Sequence, residues 1–375
     1  MSIVCRVCVM DSTDPSITFN SDGICSHCIN FRKYVLPSWN YGEGHDKALD
    51  KMLSKLKSDG ETKPYDCILG LSGGVDSSFM LHLAIKEFGL RPLVFHVDAG
   101  WNSRVAVNNI FKLVDKLEVD LQTTVIDWPQ LRDFQLSYFK SGLPNLDVPQ
   151  DHMFVATLYK YAEEHGIRYI LNGGNFATEG VRNPLKFMYY GTDMRQINAI
   201  KRLYAESSWD ALPFSSVMRH KFYLRFVKGI KVWKPLDLIR YDKGSAIKVL
   251  QSEYGWEAYS QKHFESRFTA FYEGFWLRER FGFDTRKIQL SSLILSKQMD
   301  RSKALTVLES DPLSENEKTD LRKFVADKLE ISETQLMKYF EMPKRYHTDY
   351  PNSEWVFNLG GRVLRAIGAE KSLKK

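Results

Sequence analysis

Cysteine is scarce in this chain: 375 residues hold five, and four of them fall within the first 28 positions. Outside that cluster only Cys67 remains, which leaves little thiol for sulfur transfer. It lies in an apolar run, 65–71, where a small buried hydrophobe is its better reading. No uninterrupted apolar stretch approaches a membrane span, and the opening residues lack the apolar core of a secretory signal. A cytoplasmic location without membrane contact is therefore expected. Ser2 follows Met1 where an internal glutaminase of the amino-terminal nucleophile type would need cysteine, so no such glutaminase is expected in this chain. Neither a G-x-x-x-x-G-K-S/T loop nor a G-x-G-x-x-G fingerprint occurs, and there is no internal repeat. Two familiar nucleotide-binding solutions are thus excluded.

What is present is ordinary globular composition, 43% hydrophobic with a formal charge of +6, long enough for two to three domains. The charge is unevenly placed. Between Arg182 and Lys234 eleven Lys or Arg face three acids. Such a segment suits a nucleic acid, an acidic partner or a phosphorylated substrate, and a merely solvated basic face is the competing reading.

Cys5-x-x-Cys8 and Cys25-x-x-Cys28 are separated by sixteen residues, the spacing of two knuckles around one tetrahedral ion. Four thiolates close the coordination shell, so a structural Zn²⁺ is expected, holding together a module too small to fold alone. Asn20-Ser21-Asp22-Gly23 supplies a turn between the knuckles. An iron–sulfur cluster and a pair of disulfides are the rival uses of these cysteines, and His27 as a substitute ligand is the less favoured arrangement.

The run Ile68-Leu69-Gly70-Leu71-Ser72-Gly73-Gly74-Val75-Asp76-Ser77-Ser78 ends an apolar strand in a Gly-Ser turn that opens a helix. Gly73 and Gly74 allow a sharp turn and close approach of an anion, Ser72, Ser77 and Ser78 offer hydroxyls, and the helix presents free N–H groups. A pyrophosphate fits such a cradle. Asp76 beside phosphates makes sense mainly with Mg²⁺ between them. Strand and helix then alternate: strands over 65–71, 92–97, 121–126, 169–171 and 230–233, helices over 77–88, 103–117 and 150–165. This predicts an α/β fold with a doubly wound parallel sheet and ligands at the carboxyl ends of its strands. A linker helix over 46–57, flanked by Gly42, Gly44 and Gly60, precedes the sheet. A mainly helical region follows Tyr241, with capping boxes at Ser314/Glu317 and Ser332/Gln335 and a frayed 371–375 tail. The expected division is 1–60, zinc ribbon and linker helix; 61–243, nucleotide domain; 244–375, helical domain.

Candidate residues cluster at the strand ends. Asp98 closes the second strand where adenine or ribose would lie, or caps the next helix. Gly173 and Gly174 end the fourth strand and imply close approach by a backbone or a ligand. Glu179 is a second Mg²⁺ carboxylate or a surface residue at a helix start. Asp151 in Pro149-Gln150-Asp151-His152 reads as a helix cap. Lys262-His263-x-Glu265-Ser266-x-x-Thr269 gathers a base, an acid and hydroxyls within two helical turns, suited to substrate binding or proton transfer, or simply to a half-buried polar helix face.

The wording S-G-G-x-D-S resembles the PP-loop of the ATP pyrophosphatase superfamily, of adenine nucleotide alpha hydrolase-like fold, whose members cleave ATP between the alpha and beta phosphates. Over the whole chain the combination of the Cys knuckles, Ser72–Ser78, Asp98–Ser103, Pro149–His152, Gly174–Glu179, Lys234–Leu236, Tyr241–Lys243 and Lys262–Thr269 resembles the N-acetyl sugar amidotransferases of bacterial lipopolysaccharide O-antigen and flagellin-glycan biosynthesis. That resemblance implies ATP-dependent conversion of a sugar N-acetyl group to an acetamidino group, with ATP, Mg²⁺ and structural Zn²⁺ as cofactors. Asp76, Glu179, Lys262 and His263 are its expected catalytic residues; Ser72, Gly73, Gly74, Asp76, Ser77, Ser78, Asp98 and Gly173 its nucleotide contacts; Asp76 and Glu179 its Mg²⁺ ligands. It also implies a nucleotide-linked N-acetamido sugar and separate glutaminase and ammonia-channelling synthase-like subunits. Nucleic acid is not expected as a partner; a tRNA-modifying PP-loop enzyme, thiolating a base, is the alternative.

Overall fold

Five short strands form one parallel sheet in the order β3-β2-β1-β4-β5, with β1 Cys67–Gly70, β2 Pro92–Asp98, β3 Leu121–Val125, β4 Tyr169–Leu171 and β5 Lys231–Trp233. This is a computed structural model, and it describes residues 3–39 and 45–366; Ser2, Gly42, Gly44 and the 371–375 tail lie outside the described residues. The three inner strands are buried nearly throughout and apolar apart from His96 and Asp98 of β2, as strands covered on both faces tend to be, whereas β3 alternates exposed and half-buried positions and β5 exposes Lys231 and Val232. Side-chain alternation sorts the core into two layers. Ile68, Leu93, Phe95, Val97 and Ile170 pack on one face with Phe134, Met153, Phe268, Phe271 and Trp276. Cys67, Leu69, Val94, Tyr169 and Leu171 pack on the other with Met80, Leu113, Leu250 and Tyr254.

The helix expected after the loop runs Val75–His82 and continues as a wider π turn to Glu87. Ser103 caps the helix Arg104–Leu117, accepting from the Ala106 N–H at 3.1 Å. Trp128–Ser141, opened by an Asp127 cap with Pro129 in its first turn, and Met194–Tyr204 are helices that the alternation pattern did not signal. In the helical region Ser314 and Glu317 form the reciprocal box, and Ser332 caps Gln335.

The amino-terminal cysteine module is built from two isolated antiparallel bridges and the helix Ser26–Asn30, with Gly23 at φ +73° completing the turn begun at Asn20. It is docked on the helical region: Arg301 donates to the carbonyls of Cys8 (3.0 Å) and Cys5 (2.8 Å), and Lys287 pairs with Asp11 at 2.7 Å. Phe31 lies against Gly180, where a Cβ would run into its ring. Among the described residues no helix is long and apolar enough to cross a membrane.

Candidate active site and cysteine centre

Adjacency of β2, β1 and β4 brings three strand-end loops together, 71–74, 98–103 and 172–179. Gly73, at φ +84°, turns the first loop in a space where a Cβ would meet the Ala106 carbonyl at 2.8 Å. Its own carbonyl accepts from Trp256 Nε1 (3.1 Å) and the Tyr259 hydroxyl (3.0 Å), so the loop is gripped from beneath. Gly74 is the helix N-cap and has no side chain to cap with, leaving the first-turn N–H groups directed at whatever occupies the loop. Ser72 and Ser77 hydroxyls lie 3.1 Å apart at the mouth. Ser78 departs from expectation: it is fully buried, its hydroxyl turned into the protein. Glu265 overlies the loop, its Oε1 2.6 Å from where a Gly74 Cβ would be. This arrangement fits a pyrophosphate group.

Gly173 serves the close approach of two backbones. A Cβ there would stand 2.7 Å from the Asp76 carbonyl and 2.9 Å from the Ser77 nitrogen, so β4's loop seats directly on the helix that the first loop opens. Asp76 accepts from the Tyr241 hydroxyl at 2.5 Å through Oδ1 and from Thr178 at 3.3 Å through Oδ2. Lys262 Nζ lies 3.3 Å from Asp76 Oδ2, 2.9 Å from Glu179 Oε1 and 3.1 Å from Thr178 Oγ1. Burial opposes ionisation of Asp76, yet the Lys262 ammonium and the Tyr241 bond hold its carboxyl below the usual range. Asp76 and Glu179, expected to share Mg²⁺, thus converge on one cationic nitrogen. Their oxygens define a cation position, which is the observation that fits a divalent ion with oxygen ligands.

Asp98 does not cap the next helix, because Ser103 does. Its Oδ1 instead accepts from the Gly100 N–H at 2.7 Å and fixes the turn beside the loop. The 262–269 motif is not helical as expected. His263 takes a left-handed conformation, φ +69°, which breaks a helix, and the next helix begins only at Arg267 with Ser266 as its cap. The segment is instead pinned across the second loop: Ser103 N–H donates to the Glu265 carbonyl and Arg267 N–H to the Trp101 carbonyl, both at 2.8 Å. Asp151 is likewise not the cap; Asp147 occupies that position, and Asp151 falls in the first turn of Val148–Glu164.

A second polar group borders the first. His263 Nδ1 lies 3.1 Å from Glu273 Oε1, and Gln150 links Asp147 and Thr269 through 2.7 Å bonds. Burial opposes charge on His263, but Glu273 overcomes it and lifts the imidazolium to about 9. Asp151 is raised to about 6, chiefly because protein encloses it on most sides while its face stays open to solvent. Trp256, Tyr259, Glu273 and Asp147 were not singled out from sequence. Asp147, two residues before Pro149, carries a helix-start signal; the aromatic pair carries none.

The four cysteine sulfurs are fully buried and lie within 4.8 Å of one another, with close pairs at 3.6–3.8 Å. A disulfide would need about 2.05 Å. A tetrahedral ion with Zn–S bonds of about 2.3 Å sets its ligands about 3.8 Å apart, so the donor set fits one ion. His27 is engaged elsewhere, 2.7 Å from Asp14.

Residues 66–137 match the phosphoadenosine phosphosulfate reductase domain, and residues 265–363 match the C-terminal domain of WbpG-like LPS biosynthesis proteins. Together these matches support a PP-loop nucleotide domain with a lipopolysaccharide-biosynthesis link. The chain is 28% identical over 170 residues to an uncharacterized protein of Methanocaldococcus jannaschii, an overlap of 45% of this chain and 58% of that relative's length. Among solved structures it is similar to NMN synthetase from Francisella tularensis (17% identity, 60% of this chain and 92% of that one, TM-score 0.29). It is also similar to a U34-tRNA thiolase from Methanococcus maripaludis, solved with a 4Fe–4S cluster (13%, 88% and 89%, TM-score 0.35).

Proposed function

We propose that this protein is a cytoplasmic, ATP-dependent amidotransferase that converts the N-acetyl group of a nucleotide-linked sugar to an acetamidino group in surface polysaccharide biosynthesis. The observation that carries this reading is the uncapped helix N-terminus after Gly73 and Gly74, overlaid by the 262–266 segment that runs into the WbpG-like region. An amide is a poor electrophile, and adenylylation turns its oxygen into a leaving group. The amide oxygen attacks the alpha phosphorus of ATP and pyrophosphate departs; ammonia then bonds to the amide carbon, and the oxygen leaves with AMP.

In this reading the loop N–H groups, Ser72 and Ser77 hold the phosphates, and Asp98 faces the nucleoside side. Asp76 and Glu179 would hold Mg²⁺, which supplies charge neutralisation at the departing pyrophosphate. His263, kept as an imidazolium by Glu273, acts as a proton donor or local positive charge rather than as a base. The Arg182–Lys234 segment suits the charge of a nucleotide sugar. A zinc ion in the cysteine centre is structural, because four thiolates leave no open position. Ammonia comes from a separate glutaminase through a synthase-like subunit. The tRNA-thiolating alternative lacks support from Cys67, which is fully buried in β1, where burial pushes its thiol up.

The test is incubation of purified protein with ATP, Mg²⁺, ammonium and a panel of nucleotide-activated N-acetamido sugars. The expected outcome is AMP, pyrophosphate and a product whose mass reports exchange of the amide oxygen for NH. No AMP with any sugar overturns the reading. Asp76→Asn is expected to abolish pyrophosphate release while the far-ultraviolet circular dichroism stays unchanged.

A further inference from the structure

We infer that the Lys262 ammonium occupies the divalent-cation position of the loop site in the nucleotide-free protein, and that Mg²⁺ with nucleotide enters by displacing it from Asp76 and Glu179. The inference rests on reading the loop as a nucleotide site.

Three oxygens from two strand-end elements meet Lys262 Nζ within 3.3 Å: Asp76 Oδ2, Glu179 Oε1 and Thr178 Oγ1. The other Asp76 oxygen is taken by Tyr241, so Oδ2 is the one aimed at the shared position. The Lys262 side chain is only 8% exposed, while that of Glu179 is 44% exposed. A surface ion pair would leave the lysine in water; here the lysine is the enclosed member and the acids are arranged around it. Two adjacent carboxylates at a loop meant for a polyanion repel both each other and the ligand; Lys262 is the cation placed between them, and Lys243 also acts on Asp76 from farther off. Glu265 adds a third carboxylate above Gly74.

Mg²⁺ draws its oxygens to about 2.0–2.1 Å, and an ammonium and a divalent ion cannot share one set of ligands. Exchange is the consequence: the divalent ion takes the carboxylates, and the freed ammonium pairs with phosphate oxygen. The backbone permits this, because Lys262 sits in a turn ahead of the left-handed His263 and not within a helix. By linkage, whatever Lys262 contributes to the empty site it subtracts from the affinity of the empty site for a divalent ion.

The experiment titrates the whole chain with Mn²⁺ in the absence of nucleotide, reading free Mn²⁺ by electron paramagnetic resonance. Lys262→Met is expected to bind Mn²⁺ at least about tenfold tighter than the wild type, since an uncharged side chain no longer competes for the two acids. Lys262→Gln, which keeps a hydrogen-bond donor without the charge, is expected to show the same gain and serves if the Met variant does not fold. Adding Glu179→Gln to either is expected to abolish the gain. Mn²⁺ affinity no tighter in the variants than in the wild type overturns the inference. A protein that binds Mn²⁺ in this pattern yet never cleaves ATP would overturn the proposed function and leave the cation exchange standing.

Discussion

The cysteine centre and the loop site are two ways of collecting negative charge in one protein. In the first, four sulfurs are sealed from solvent with close pairs 3.6–3.8 Å apart, and the Arg301 guanidinium bonds the Cys5 and Cys8 carbonyls. In the second, Asp76 and Glu179 carry a built-in ammonium from Lys262 and open toward the loop mouth. Under the proposed function, the first would stay filled and the second would be filled and emptied in each turnover, which suits an internal counter-ion in the second. The two are joined through Phe31, which touches Gly180 directly after Glu179.

The largest effect should come from the closed site. Cys25→Ser, or removal of the ion by a chelator, forfeits part of a binding free energy on the order of 10 kcal/mol. Loss of metal by mass spectrometry, a large fall in Tm and, through Phe31, a fall in pyrophosphate release are expected. An unchanged Tm in metal-free protein would erase the contrast between the two sites. Gly173→Ala is next. Its Cβ would press on the Asp76 carbonyl and the Ser77 nitrogen, neither of which can rotate away, so a destabilisation of about 1–3 kcal/mol by chemical denaturation is expected. Pyrophosphate release should fall with it, because Asp76 moves; wild-type behaviour in both assays would mean that the two loops are not mutually seated.

The smallest effect is titration. His263 binds its proton more tightly in the folded state, about 9 against an ordinary 6.5, because Glu273 outweighs burial. Its stabilising contribution is therefore complete below about pH 6.5 and is lost as pH rises through about 9. At 41% side-chain exposure solvent screens it, so the Tm slope between those values should flatten only modestly in His263→Gln. A slope identical to that of the wild type would remove His263 from the electrostatics of the open site.

The inner sheet was legible because strands buried on both faces tend to be apolar: 169–171 was read with its final bounds, and β2 within one residue. The edge strand β5 was read one residue too long, as 230–233, since nothing on its outer side constrains composition. Gly73 and Gly74 were legible because their chemistry is local. Lys262 was read as part of a helix because apolar and polar spacing cannot register a left-handed residue at position 263, and its partners lie on two other loops. Trp256 and Tyr259 were invisible for the related reason that their partner is a backbone carbonyl, which leaves no trace in residue type.

The bond from Trp256 to the Gly73 carbonyl gives the loop a fluorophore on its underside. Under the proposed function, an indole N–H bonded to the loop backbone is expected to change its emission when nucleotide binds there. Nucleotide occupancy is thereby readable from the unlabelled protein as the difference between its tryptophan spectrum and that of Trp256→Phe, before any bond to phosphorus has been made or broken.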